Sequence, residues 1–347
     1  MKALRMAIIN IENHQDLVRY LREQGLITDR DELRCKNLYG GVSNRTVKIS
    51  CSPSKNWVIK QALEKLRVKE DWFSDPQRIH REAEGLRWLA ELTPPGSVPG
   101  FIFEDHAQHL LIMQAVAEPH QNYKHLLLET EPKNIHTTTF ARLCADIHCN
   151  SYDRRDEIAS IFADAGFFES LRIDPYYVFS ARQLPEAAPF LFNLIKTTRA
   201  RKLTLVHGDY SPKNILIQNN RLILLDHEVI HFGDPAFDIG FSLAHLLSKA
   251  HYRSSLRSQF TAAAHLFWQT YFKQTQAAPW ADDLEQQCVN HTLGCLLARV
   301  AGKSPLEYLS SSQRTLQKMI LLQLIKKHPA TMQLLIEQFE ERLTSYG

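Results

Sequence analysis

The chain has 347 residues, 44% hydrophobic and 23% charged, with 41 lysines and arginines against 38 aspartates and glutamates. That length and balance suit a globular protein of about two domains with a sizeable core, and they exclude a predominantly disordered chain. The formal net charge of +3 is too small, and the basic residues too scattered, to point to a nucleic-acid partner.

No apolar run reaches the roughly 18 residues that a membrane span requires, so no membrane partner is expected. Residues 1–10 hold only a short apolar patch with Arg5 inside it, without the long apolar stretch and cleavage site of a secretory signal. The six cysteines include no C-x-x-C pair and are read as reduced thiols, Cys288 and Cys295 as core packing on a helix. Together these features predict a cytoplasmic protein.

In chain order, residues 12–26 read as a helix, with Leu17, Val18 and Leu21 on one apolar face and Gly25 at its C-terminal end. Residues 33–39 and 46–51 read as strands on either side of a Gly40-Gly41 break, and 52–56 as a turn. Trp57-Val58-Ile59 then resumes a strand that ends by delivering Lys60. Residues 76–92 carry Ile79, Ala83, Leu86 and Leu89 at helical spacing, with Pro76 near the first turn. Strand signals at 100–104 and 109–113 complete a small sheet with one inserted helix.

Beyond residue 117 helices dominate, at 137–148, 185–199, 237–250, 255–273, 282–300, 312–327 and 331–343. One strand-rich insert interrupts them. Residues 203–206 lead into a polar loop, and 215–217 and 222–225 flank Asn219-Asn220, a short hairpin signal. The pattern predicts an α+β chain in two lobes. A small antiparallel sheet with one main helix occupies residues 1–117, and a larger, mainly helical part occupies 118–347.

The segment that carries chemistry is His207-Gly208-Asp209-Tyr210-Ser211-Pro212-Lys213-Asn214, followed across the hairpin by Leu222-Ile223-Leu224-Leu225-Asp226. Phosphoryl transfer from a nucleotide needs a carboxylate to orient the attacking hydroxyl, oxygen ligands for a metal, and a cation on the phosphate chain. An H-x-D-x-x-x-x-N loop lets one turn present Asp209 and Asn214 to one place, and the hairpin returns Asp226 beside them. Such oxygen ligands suit Mg²⁺.

This block resembles the kinase-like small-molecule phosphotransferases, the superfamily of aminoglycoside phosphotransferases, choline kinases and methylthioribose kinases. The resemblance implies a two-lobed, protein-kinase-like fold and an ATP- and Mg²⁺-dependent enzyme. It implies Asp209 as catalytic base, Asn214 and Asp226 as metal ligands with Glu228 beside the second metal, and His207 as support for the loop. It also implies that Lys60 holds the nucleotide phosphates and is oriented by Glu82, with Glu84 as the rival partner, and that Asp238 braces the catalytic loop. The lid over the phosphates would be Gly40-Gly41-Val42-Ser43-Asn44, and adenine would hang from the backbone of Met113, Gln114 and the residues up to Val116.

The stretch from Asp226 to the helix near Pro235 is too short for the peptide platform of a protein kinase, which points to a small-molecule acceptor. Val58-Ile59-Lys60-Gln61-Ala62-Leu63, Asp226-His227-Glu228 and Phe237-Asp238-Ile239-Gly240 are similar to methylthioribose kinases, which implies a sugar-like acceptor. That family's paired arginines appear here only as Ala298-Arg299, and its loop differs from Tyr210–Asn214. Arg299 and Ser211 are the candidate acceptor contacts; for Arg299 the alternative is a surface residue with its stem on the core. Trp268 and Tyr271, which a choline cage would need, read as core. The competing readings are an aminoglycoside or amino-alcohol kinase, an atypical protein kinase, and a nucleotide-binding pseudokinase. Monomer and homodimer both remain open.

Overall fold

A computed structural model describes residues 8–39, 41, 43–52, 55–67 and 72–346. It divides into two compact units, residues 1–91 with 98–118, and residues 92–97 with 119–347.

The first unit is built on a five-stranded antiparallel sheet, β1 (Arg34–Asn37), β2 (Asn44–Ser52), β3 (Lys55–Ala62), β4 (Phe101–Asp105) and β5 (Leu110–Gln114), in the order β1-β2-β3-β5-β4. Period-two alternation sends Val47, Ile49, Trp57, Ile59, Leu110 and Ile112 to one face, where Leu17, Tyr20 and Leu21 of the helix His14–Glu23 complete the core. The helix starts later than its apolar pattern suggests because the Asn13 side chain accepts from the Gln15 and Asp16 amides and so caps it there. Lys60 follows Ile59 and therefore occupies the opposite face of β3. That strand runs two residues further than the sequence reading, to Ala62, because Gln61 still pairs with Arg45 and Leu110. The helix Arg78–Leu92 buries Ile79, Ala83, Leu86 and Leu89, as its spacing required.

The second unit is helical around one central element, Ala236–Tyr252, in which every residue from Ala236 to His251 is buried. The helices Leu284–Ala301 and Arg257–Thr275 pack on it, with Asn134–Asp153 beyond. At Gly240 a Cβ would stand 2.4 Å from that of His291, so only glycine permits this crossing. Trp268 and Tyr271 are buried, as read from the sequence.

Helices Tyr123–Glu129 and Arg155–Phe162 add to the expected set. So does a helical run of residues 166–183 whose middle, Glu169–Val178, winds as a π-helix around Pro175. The hairpin is β8 (Ile215–Gln218) and β9 (Arg221–Leu224), joined by Asn219 and Asn220, both at positive φ (50° and 62°) as a tight right-twisted turn demands. Two unpredicted strands are very short. β6 (Gln121–Asn122) extends the hairpin to three strands, and β10 (His231–Gly233) pairs with β7 (Thr204–Val206). Among the described residues no helix is long and apolar enough to cross a membrane, and all six cysteines are free thiols.

Candidate active site

In the first unit, Lys60 Nζ donates to Glu82 Oε1 at 2.6 Å, with Glu82 wholly buried and the lysine side chain 13% exposed. Glu84 is engaged elsewhere, accepting from Arg87 at 3.0 Å and from the Trp88 indole at 3.1 Å, so the lysine pairing falls to Glu82. Ser43 and Asn44 are buried at the start of β2, where the Ser43 carbonyl accepts from Arg78 (2.5 Å) and from the Leu63 amide (3.0 Å). Arg78 is itself fully buried and also reaches the Leu63 and Ser74 carbonyls, a backbone staple that the sequence did not signal. Gly41 is exposed and has open space around it, while Gly40 and Val42 lie outside the described residues. Met113 pairs with Val58 and Phe101; the amides of Gln114 and Ala115 donate to the Gly100 and Asn56 carbonyls, and Val116 is the first residue past them.

In the second unit, the loop after β7 is held from behind. Asp238, on the first turn of the central helix, accepts from the His207 amide (2.7 Å) and the Gly208 amide (2.8 Å). Burial, the largest influence on Asp238, pushes its carboxyl up; the His148 hydrogen bond at 3.3 Å and the donated amides outweigh it, and the net shift is downward. Gly208 has φ +75°, and a Cβ there would stand 3.0 Å from the Val229 carbonyl oxygen, so the turn requires glycine.

His207 is fully buried, and burial holds it below the usual imidazole range. Its Nδ1 accepts from the Asp209 amide at 3.2 Å, which assigns the proton to Nε2, 3.2 Å from the Leu225 carbonyl and 3.1 Å from His227 Nδ1. Tyr210 anchors the other side, stacked on Phe140 and donating to the Phe140 carbonyl at 2.7 Å.

Asn214 Nδ2 donates to both the backbone oxygen (3.0 Å) and Oδ2 (2.7 Å) of Asp209. The five-residue step thus brings the two side chains into contact, and with Nδ2 committed the amide oxygen is the end left to meet a cation. Asp226 follows β9 at φ +68°, a left-handed conformation uncommon outside glycine and concentrated at functional sites. The charges of Asp226 and Glu228 are both felt at Arg172, which also senses Asp209. The loop thus brings Asp209 and Asn214 into contact, and Asp226 and Glu228 follow β9; carboxylates and an amide oxygen are donors of the kind a hard divalent cation takes.

Arg172 was not foreseen. It lies in the π-helix, 8% exposed, with Nη2 2.8 Å from Asp209 Oδ2, Nε donating to the Gly208 carbonyl at 2.8 Å and Nη1 to the Leu171 carbonyl at 2.7 Å. Ser211 is 1% exposed at the start of the short turn Pro212–Asn214. Arg299 is not at the surface. It is 8% exposed, and its Nη1 donates to the Tyr176 hydroxyl at 2.9 Å, because the same π-helix supplies an aromatic ring for the guanidinium to cover.

This arrangement, a small antiparallel sheet with one paired lysine in one unit and a braced H-x-D-x-x-x-x-N loop with a following hairpin in the other, is that of the kinase-like folds. The choline kinase of Cryptosporidium parvum is similar over 96% of this chain and 99% of its own (TM-score 0.56, 14% identity). An amicoumacin kinase is similar over 93% and 97% (TM-score 0.57, 12% identity). At such identities the likeness speaks for the fold alone. The chain belongs to the phosphotransferase enzyme family, whose model matches residues 34–280. It is 26% identical over 295 residues to the methylthioribose kinase of Bacillus pumilus, covering 75% of this chain and 72% of that one. It is 27% identical over 259 residues to that of Yersinia pseudotuberculosis, of which it spans 63% of the length. The protein is accordingly a phosphotransferase acting on small-molecule hydroxyls.

Proposed function

We propose that the protein is an ATP- and Mg²⁺-dependent kinase for a sugar or sugar-like metabolite, with residues 1–117 as the nucleotide-binding part and 118–347 as the catalytic and acceptor part. The observation that carries the proposal is the Asp209–Asn214 contact at 2.7 Å within a loop braced by Asp238. In this reading Asp209 orients the acceptor hydroxyl and takes its proton. Asn214 and Asp226 hold the metal, with Glu228 beside them. A bound divalent cation would neutralise charge on the transferred phosphoryl group. Lys60, fixed by Glu82, neutralises the phosphate chain, and the backbone from Met113 to Val116 carries the adenine.

His207 and Asp238 shape the loop and take no part in the chemistry. The sugar-like acceptor is supported by the methylthioribose kinases among the relatives. The experiment is ATP consumption with a panel of sugars, sugar derivatives, amino alcohols and aminoglycosides. Turnover stimulated by a sugar-class compound supports the reading. Stimulation by an amino alcohol or an aminoglycoside alone removes the acceptor assignment and leaves the phosphotransferase intact.

A further inference from the structure

Two buried basic side chains of the second unit have no counter-ion among the described residues. Arg299, 8% exposed, has its Nη1 on the Tyr176 hydroxyl, and its buried Nε meets no acceptor. Lys249, fully buried in the central helix, donates to the His245 carbonyl at 3.2 Å, with its Nζ 5.5 Å from the centre of the Tyr308 ring. Among the described residues no carboxylate lies within 4.0 Å of either. The charge of Glu307 is felt at Lys249 and that of Arg299 at Glu307, but Glu307 pairs with Lys124. His245, also buried, is pushed well down by burial and by the charges of Lys249, Arg299, Lys124 and Lys213. The Tyr308 hydroxyl is buried without a partner.

Generic reasons do not account for this. Both cations stand in the last turn of their helices, where the dipole favours positive charge only modestly. The cost of burying an ion exceeds that gain. Arginine cannot escape by losing its proton. Lysine can, and burial brings Lys249 to about 7, which leaves it poised to regain the proton when a negative charge arrives.

The cluster is also close to the chemistry. Asp209 pairs with Arg172, whose guanidinium lies 5.7 Å from the centre of the Tyr176 ring; that of Arg299 lies 5.6 Å from the same ring. One aromatic side chain thus carries both the partner of the catalytic-loop carboxylate and the cation lacking its own.

We infer that the acceptor is anionic, a hydroxylated carboxylate or phosphate ester such as a sugar acid or sugar phosphate, whose negative group is received by Arg299 and Lys249 with the Tyr308 hydroxyl while its hydroxyl faces Asp209. The inference rests on the phosphotransferase reading of the catalytic loop and narrows it. It makes cationic acceptors such as choline and aminoglycosides unfavourable, because their charge would join an uncompensated positive cluster.

The test has two arms. In the first, the wild type and the Lys249→Met and Arg299→Met variants are titrated with sodium sulfate at pH 6.5, against sodium chloride of equal ionic strength, and thermal protection is followed. Lys249→Met replaces a buried side chain by an apolar one of similar length and keeps this arm informative if Arg299→Met fails to fold. Saturable sulfate protection in the wild type, weakened at least tenfold in Lys249→Met, is expected. Absence of protection, or equal protection in the variant, overturns the inference.

In the second arm, kcat/KM is compared for D-gluconate with D-glucose, for D-ribose 5-phosphate with D-ribose, and for choline and kanamycin. An anionic acceptor favoured at least tenfold over its neutral analogue, with a KM that rises tenfold in Lys249→Met while the KM for ATP stays level, is expected. A preferred neutral or cationic acceptor whose KM is unmoved in that variant overturns it. If no compound in the panel is turned over, the sulfate arm decides. Asp209→Asn separates the two readings: full activity in that variant removes the catalytic assignment while sulfate protection would still stand.

Discussion

Arg172 holds the Asp209 carboxylate with one nitrogen at 2.8 Å and the Gly208 carbonyl with another at the same distance, so one guanidinium fixes both the backbone and the side chain of the turn. A fork of this kind binds two oxygens in a set geometry that lysine cannot copy. Together with Asn214 on the same carboxylate oxygen, it leaves Asp209 little freedom to turn.

Arg172→Met is therefore expected to lower kcat by at least about 10², the penalty typical of ångström-scale misplacement of a reacting group. The KM for ATP should change much less, because the hydrogen bonds of Arg172 go to Asp209 and to the Gly208 and Leu171 carbonyls. Arg172→Lys should recover only part of the loss. Steady-state kinetics with a confirmed acceptor checks this, and a KM effect without a kcat effect would instead make Arg172 an acceptor contact.

Glu82→Gln removes the charge that orients Lys60 while keeping the shape of a wholly buried side chain. Charge-assisted hydrogen bonds contribute about 1.5–3 kcal/mol, so the KM for ATP should rise roughly tenfold or more. The same substitution at Glu84, which binds Arg87 and Trp88, should leave it unchanged. Nucleotide titrations of the two variants side by side decide the pairing.

Lys249 gives a pH signature in stability. Its value falls from the ordinary 10.5 to about 7 in the fold, chiefly through burial, so between those values the unfolded chain binds the extra proton. Its contribution to stability therefore rises with pH from about 7 to 10.5, with a limiting slope of about 1.4 kcal/mol per pH unit, and is lost again as pH falls. Lys249→Met abolishes this one component. The difference in unfolding free energy between wild type and variant, measured by denaturant at pH 7 and pH 9, should shift in favour of the wild type at the higher pH. A difference that does not change with pH would mean that Lys249 keeps its proton in the fold.

The loop, the hairpin and the lysine strand were legible because their signals are local. His207, Asp209 and Asn214 fall within eight residues, Asn219-Asn220 marks its own turn, and Ile59 followed by Lys60 shows which face each takes. Arg172 was not legible. Its helix departs from the regular period around Pro175, and its partner stands 37 positions downstream, so neither periodicity nor spacing announces the contact. Arg299 was ambiguous for the same reason. Its burial depends on Tyr176, which that irregular helix supplies. The strand His231–Gly233 is three residues long and gains its identity only from pairing with Thr204–Val206.

Asp209→Asn tests the account most directly, since it keeps the size of the side chain and an oxygen that can accept from Asn214 and Arg172 while removing the base. With a confirmed acceptor, kcat should fall by at least 10²–10⁴, the range that a positioned acid–base group supplies, while the affinity for Mg²⁺-ATP stays at the wild-type value. Wild-type turnover in that variant would contradict the assignment of Asp209 as the catalytic base.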